Sequence, residues 1–373
     1  MSKRGNGEGS ISRRKDGRYM ARYTVQTVTG VKTKYLYGKT RVEVSNKLAK
    51  AIADRADGMV FGDENLDMNE YLNRWLRDSV GGSVQDRTFD SYSKLVTRYI
   101  VPAIGDVKLK KLSPMKVQAM YRGMQDRGLS LRTVQYTHAV LHRALKQALR
   151  WGMVPRNVCE AVDRPQVRRD EMQPLDAQQT KELLGAARAG GDRLEALYVL
   201  AVHTGMRLGE LLGLKWKDVD LDGESLRVNC ALSEGKFTVP KTKKSRRRID
   251  LSATGVAALK AHRKRQLEER VRLAGLWEDQ GLVFPSAVGT PLSHHNVVRA
   301  FKKLLKRADL PETIRLYDLR HTCATLLLSR NVHAKYVHEL LGHASIALTL
   351  DTYSHILPSM DGGTASAMDE ALG

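Results

Sequence analysis

Between Asp67 and Pro165 nearly every segment repeats its apolar residues three and four positions apart, and nothing else in the sequence constrains the fold so tightly. "NEYLNRWLRDSV", "DRTFDSYSKLVTRYIVPAIG", "SPMKVQAMYRGMQDRG" and "SLRTVQYTHAVLHRALKQALRWGMV" each carry one apolar stripe of helical period. Ser113-Pro114 reads as an N-cap followed by proline at the first helical position, and Gly128 and Gly152 read as stops. The block is bounded by two linkers, "DGMVFGDENLD" (57–67) and "DRPQVRRDEMQP" (163–174). Residues 67–165 are therefore expected to form an all-α domain.

The pattern changes on either side. Ahead of the first linker, "GSISRR", "GRYMARYTVQTV" and "GVKTKYLYGKT" read as short strands, with turns at "KDG" and "TG". Thr40 with Glu43 predicts a capping box opening the helix "RVEVSNKLAKAIADRA". Domain 1–56 is thus a small three-stranded sheet plus one helix. Domain 174–373 opens with two helices, "DAQQTKELLGAARAG" and "DRLEALYVLAVHTG". Short strands follow around "SLRVNCAL", "KFTVPKT" and "RRRIDL", and then a helical half. The fold class is multidomain α+β: an N-terminal sheet with its helix, a helical middle domain, and a mixed, mainly α third domain with a small antiparallel sheet.

Charge indicates the partner. Lys and Arg outnumber Asp and Glu by 62 to 41, a net +21. The first 55 residues alone hold fourteen basic against four acidic side chains, a net of +10. So basic a chain is expected to have a polyanionic partner rather than merely a solvated basic surface, because neutralising phosphates releases counterions. Arg13, Arg14, Lys15 and Arg18 on the first hairpin, and Lys243, Lys244, Arg246, Arg247 and Arg248 in "TVPKTKKSRRRIDL", are the candidate DNA-backbone contacts. His294 and His295 open a helix expected to face DNA.

Other classes fit less well. No apolar run approaches the roughly 18 residues that cross a bilayer, and the basic start has no apolar segment behind it. A cytoplasmic protein without a membrane partner is expected. Cys159, Cys230 and Cys323 lack zinc-ligand spacing. His333, His338 and His343 fall five apart, which does not align them on one helix face. No metal and no cofactor is expected. The clustered carboxylates of a metal-dependent nuclease are missing from the polar patches below.

Three patches of the third domain place unusual polar residues at element boundaries. In "HTGMRLGELLGLKWKDVDL", Gly205 ends a helix and Arg207 follows it. In "RLYDLRHTCATLLLSRN", Arg320 and His321 begin an apolar helix. "LLGHASIALTLDTYSH" (340–355) combines a helix-stopping glycine, two histidines and a tyrosine. Singly, each has an ordinary reading: Arg207 as an electrostatic helix cap, His343 as a C-cap, Tyr353 as core filling.

Together and in this order, with the cationic "TVPKTKKSRRRIDL" between them, they resemble the tyrosine recombinase family, the phage-type integrases. The resemblance spans the whole third domain, and the upstream architecture is similar to the subgroup with an arm-binding N-terminal sheet. It implies that Arg207 and Arg320 clamp a scissile phosphate and that Lys241 protonates the leaving 5′ oxygen. It also implies that His343 assists at the phosphate, that Tyr353 is the nucleophile, and that Glu210 supports the site. Tyr317 stands where the family pattern has histidine. With an ordinary pKa near 10 it is no base at neutral pH, which leaves the base for Tyr353 open. The implied activity is site-specific recombination through a 3′-phosphotyrosyl intermediate, without metal or ATP. A homotetramer would act on two duplexes at core and arm sites of double-stranded DNA, with a host DNA-bending protein and a directionality factor as further partners and the bacterial nucleoid as location. The alternatives are a type IB topoisomerase-like enzyme and a non-catalytic DNA-binding regulator on the same fold.

The residue types suit that chemistry in their own right. Phosphoryl transfer is mostly positioning plus stabilisation of charge on equatorial oxygens. Guanidiniums bracket such oxygens bidentately, which lysine does less well. Adjacent cations favour the phenolate form of a tyrosine nucleophile.

Overall fold

A computed structural model describes residues 9–27, 30–56, 65–167, 172–233, 235–238, 246–343, 345–353 and 363–372. Its contacts divide the chain into two units, Met1–Arg169 and Asp170–Gly373.

The first unit begins with an antiparallel meander of β1 (Ser10–Arg13), β2 (Tyr19–Thr27) and β3 (Gly30–Gly38), in that order. Successive side chains alternate between its faces. Ala21 and Tyr23 point inward onto Val44, Leu48 and Ala51 of α1 (Arg41–Ala56), forming a small core. The opposite face carries Arg22 paired with Tyr35, and Met20 paired with Tyr37. The two tyrosines are 48% and 44% exposed. Arg14 lies over the Tyr37 ring at 5.2 Å and Arg13 over Tyr19 at 5.9 Å. The predicted capping box forms with a shift. Thr40 Oγ1 accepts from the Glu43 amide, but the Glu43 carboxylate reaches back to the amide of Lys39 instead of Thr40.

The helical block follows its sequence signals closely. It comprises α2 (Met68–Trp75), α3 (Asp86–Leu95), α4 (Val101–Ile104), α5 (Pro114–Asp126) and α6 (Leu131–Arg150). Asp67, Ser113 and Ser130 accept the predicted type of N-cap bond from the amide three residues on. Between α3 and α4 the helix widens into a π turn over Val96–Ile100. There Pro102 withholds the N–H that the Arg98 carbonyl would otherwise take. Trp75, Tyr71, Tyr121, Ile100 and Leu141 fill the core.

In the second unit α7 (Ala177–Ala189) and α8 (Glu195–Thr204) open the fold. Helix α8 is apolar all round and correspondingly buried from Ala196 to Val202. Then come α9 (Leu208–Gly213), β4 (Val219–Asp220), β5 (Ser225–Val228), β6 (Ala231–Ser233), β7 (Lys236–Thr238) and β8 (Arg247–Asp250). The strands form two sheets, β4-β5-β8 and β6-β7, where one was expected. The predicted strand "SLRVNCAL" breaks at Asn229 and Cys230, whose side chains are drawn off to Asp218 and to the Gly213 carbonyl. Five helices complete the unit: α10 (Ala253–Leu273), α11 (His294–Arg307), α12 (Asp318–Leu328), α13 (Ala334–Leu341) and α14 (Ile346–Tyr353), with α15 (Gly363–Leu372) beyond. Among the described residues no helix is long and apolar enough to cross a membrane.

Candidate active site

Two helix ends build the site. Helix α8 stops at Gly205 and α13 at Gly342, both left-handed (φ +59° and +63°), the conformation in which a terminal glycine closes a helix. The last carbonyls of a helix lack partners within it and carry partial negative charge. At α13 the carbonyls of His338 and Glu339 accept from the Gly342 amide. The next three carbonyls each accept from a different arginine. Leu340 O takes Arg247 Nε at 2.7 Å, Leu341 O takes Arg320 Nη2 at 2.8 Å, and Gly342 O takes Arg207 Nη2 at 3.1 Å. The other Nη of Arg320 donates to Gly205 O at 2.7 Å, tying it to the end of α8 as well.

A cap residue at this point has no room for a side chain. A Cβ on Gly205 would lie 2.4 Å from Leu341 Cδ2 and 3.3 Å from Cys323 Sγ. Gly205→Ala is therefore expected to lower stability by about 2–4 kcal/mol, the sum of a left-handed L-residue and overpacking. The measurement is the denaturation midpoint in guanidinium chloride. A loss under about 1 kcal/mol would show that the cap tolerates a methyl group.

Glu210 joins two of the arginines from below. It is 5% exposed and accepts from the Arg207 amide, from Arg207 Nη1 at 2.9 Å and from Arg247 Nη2 at 2.9 Å. Burial alone would raise its carboxyl, but Arg247 and Arg207 outweigh that and hold it below the ordinary carboxylate range. Arg320 is 2% exposed, and burial followed by the charge of Arg207 pushes it down to about 10, still cationic at neutral pH. Its two hydrogen bonds occupy two of five N–H donors. Arg207, less buried, keeps the same number available among the described residues.

Tyr353 is the last residue of α14 and is 1% exposed. Its ring packs among Ala324, Leu328, Val337 and Leu341. Its Oη lies 2.7 Å from His321 Nδ1, whose ring stands edge-on to Tyr317 at 5.1 Å. Burial raises the phenol above its ordinary value, and Arg320 pulls it back only in part. Burial likewise lowers the His321 imidazole. His343 follows Gly342, is 7% exposed, and shares a 2.7 Å hydrogen bond with Thr349 Oγ1. Burial, then Arg320 and Arg207, push it down to about 3, so it is neutral at physiological pH.

The structure thus brings Arg207, Glu210, Arg320, His343 and Tyr353 together, with Tyr317 51% exposed at the edge. Beside Arg320 and Tyr317 lies a cleft of about 210 Å³ with an apolar floor and a polar rim of His294, Lys302 and Arg315. His294 and His295 are exposed in the first turn of α11, whose N-cap position is Ser293. Lys241, Lys243 and Lys244 lie outside the described residues. Arg246 and Arg248 are exposed, Arg248 paired with Asp250 at 3.3 Å. In the first unit Arg13, Arg14, Lys15 and Arg18 are exposed on the β1–β2 hairpin.

Arg247 departs from expectation. Placed by sequence among the DNA-facing cations, its side chain is 8% exposed and locked between Glu210 and Leu340 O. The alternation of β8 explains it, because Arg247 shares a face with buried Ile249 while Arg248 points away. His321 was given no role by sequence, and only the fold brings it to Tyr353. Among the described residues no three His, Cys, Asp or Glu side chains converge as a metal site.

Comparison with known proteins covers most of the chain. The sequence model of the phage integrase family matches residues 173–360. The model of the phage integrase N-terminal SAM-like domain matches residues 68–125. An integrase of Streptomyces ambofaciens is 34% identical over 328 residues, covering 85% of this chain and 83% of its own. A "tyrosine recombinase XerC-like" protein of Caldanaerobacter subterraneus subsp. tengcongensis is 28% identical over 360 residues, covering 90% and 91%. Among solved structures, the Tn1549 transposon integrase in complex with circular intermediate DNA superposes with a TM-score of 0.67 at 19% identity, covering 81% of this chain and 99% of that one. A lambda integrase tetramer bound to a Holliday junction gives 0.61 at 21% identity, covering 95% and 96%. At these identities the solved structures speak for the fold.

Proposed function

Because the chain belongs to the phage integrase family of tyrosine recombinases, we propose that Arg207 and Arg320 hold one scissile phosphate of double-stranded DNA while Tyr353 attacks it. The observation that carries this reading is the convergence of Arg207 and Arg320 on consecutive carbonyls of one helix end, with Arg320 within electrostatic reach of the Tyr353 phenol. The N–H donors that remain on each guanidinium stabilise charge on the equatorial oxygens. Tyr353 Oη displaces the 5′ oxygen, which takes a proton from Lys241, and the DNA is left joined to the enzyme as a 3′-phosphotyrosine. The covalent link keeps the energy of the broken phosphodiester, so a 5′ hydroxyl from a second duplex closes it again without ATP. Glu210 supports the site by holding Arg207 and Arg247. His343, neutral and beside both phosphate-binding arginines, serves as a hydrogen-bonding partner of the phosphate rather than as a cation.

The reading extends to the whole chain. Residues 1–56 form an arm-site module, and the exposed face with Arg22, Tyr35 and Tyr37 and the cationic β1–β2 hairpin suit a DNA groove and backbone. Residues 67–165 and 174–373 grip the core site, with Arg246, Arg248, His294 and His295 at the backbone. The active assembly is a homotetramer on two duplexes at the nucleoid of a bacterial host, with a DNA-bending protein and a directionality factor as partners.

The test uses nicked duplexes tiled across the DNA flanking the protein's own gene, without Mg²⁺ or ATP. A covalent protein–DNA adduct on a denaturing gel, mapped by mass spectrometry to the peptide with Tyr353, is the expected result. No adduct on any duplex would overturn the reading. Rejoining to a second duplex, rather than resealing of the same strand, separates a recombinase from a topoisomerase.

A further inference from the structure

We propose that His321 is a catalytic residue of this enzyme, the base that takes the proton of Tyr353 as the phenol attacks phosphorus. The inference rests on the reading of Tyr353 as nucleophile. Its basis is a contact that no local sequence pattern shows: Nδ1 of His321 lies 2.7 Å from Tyr353 Oη, across 32 residues of chain. His321 also lies within electrostatic reach of Arg320, so a phosphate bound at Arg320 brings the reacting phosphorus close to the proton acceptor.

Among the described residues, the other neighbours of that oxygen are poorer candidates. Arg320 is a guanidinium with no acceptor atom, and the Tyr317 ring stands edge-on against His321. Cys323, on the same helix, is buried and its thiol is pushed up to about 12. His343 already shares its Nδ1 with Thr349. His321 itself is faced by Asp318, Arg315 and Arg320 from α12 and the turn before it, by Tyr317 at its ring edge, by Tyr353 from α14, and by the neutral imidazole of His343. Burial leads among these influences and keeps the imidazole below its ordinary pKa, hence neutral and able to accept near pH 7.

The proton does not leave in advance, because the buried phenol is a weaker acid than usual. It leaves in the transition state. A phenol oxygen bonded to phosphorus is strongly acidic, free phenol is not, and imidazole lies between them, the condition for general-base catalysis. The Oη–H bond breaks toward Nδ1, giving an imidazolium. The Oη–P bond forms, the P–O5′ bond breaks, and O5′ takes the proton proposed for Lys241. In the rejoining step the imidazolium returns its proton to Oη. Tyr317 holds the imidazole ring edge-on in place.

The test is single-turnover adduct formation on the nicked duplexes between pH 5.5 and 9, for wild type, His321→Ala and His321→Asn. Both variants are expected to lose about 10²–10⁴-fold in rate at pH 7, with DNA affinity by gel shift unchanged. The loss should shrink as pH rises, because hydroxide replaces the missing base, and free imidazole should partly restore His321→Ala. A loss equal at every pH and indifferent to imidazole would reduce His321 to packing. Full activity in His321→Asn would reduce it to positioning. A faster rate in either variant would make the contact a restraint on Tyr353. Each of these overturns the proposal while leaving Tyr353 as nucleophile. No adduct with wild-type protein overturns the recombinase reading and the role of His321 with it.

Discussion

Tyr353→Phe is expected to bind DNA as the wild type does and to form no covalent adduct at all. The substitution removes one atom. The ring stays among Ala324, Leu328, Val337 and Leu341, where it is 1% exposed, so the apolar packing of α14 is kept. The cost to folding is the lost hydrogen bond to His321, about 1 kcal/mol, which a thermal melt would read as a shift of a few degrees. The cost to chemistry is of another order, since loss of an enzyme nucleophile lowers turnover by about 10⁶. Gel shift and denaturing gel on the same nicked duplex separate the two. The informative contrary result is an adduct in Tyr353→Phe. It would move the nucleophile to another side chain, and Tyr317, half exposed and in contact with the same histidine, is the first position to map.

Arg320→Lys is expected to reduce adduct formation by at least about 10³-fold, the range observed when an arginine that stabilises phosphoryl transfer is lost. Charge is conserved, so any loss comes from geometry. The guanidinium donates to Gly205 O and Leu341 O from two different nitrogens and still presents N–H groups to an anion. A lysine ammonium is a single point at the end of a shorter reach and cannot span two carbonyls and a phosphate together. Each buried carbonyl left without its partner costs about 1–3 kcal/mol, so the denaturation midpoint falls as well. Arg320→Ala adds the loss of charge and weakens DNA binding, which the lysine variant largely preserves. A lysine variant within tenfold of wild type would mean that Arg320 holds two helix ends together and leaves the phosphate to Arg207.

Much of this was legible in the sequence because the signals are local. Helix α1 runs over the predicted residues, and Asp67, Ser113 and Ser130 stand at the helix starts that their side chains dictate. Arg207, Arg320 and Tyr353 sit in motifs whose neighbours are themselves informative. What escaped depends on tertiary contacts. Arg247 looked like one of several rim cations, although the alternation with Ile249 placed it inside. His321 was visible at the start of an apolar helix, but its partner lies on α14 and only the fold sets them 2.7 Å apart. The strand "SLRVNCAL" carried the residues that break it, yet Asn229 and Cys230 do so through Asp218 and Gly213, which a propensity reading does not see.

The three arginines held by Leu340, Leu341 and Gly342 have a mechanical consequence. Consecutive carbonyls have fixed spacing, so the end of α13 works as a jig that sets Arg247, Arg320 and Arg207 at once. The next helix in the chain is α14, which ends at Tyr353. A change that moves the end of α13 therefore moves the anchors of all three arginines together.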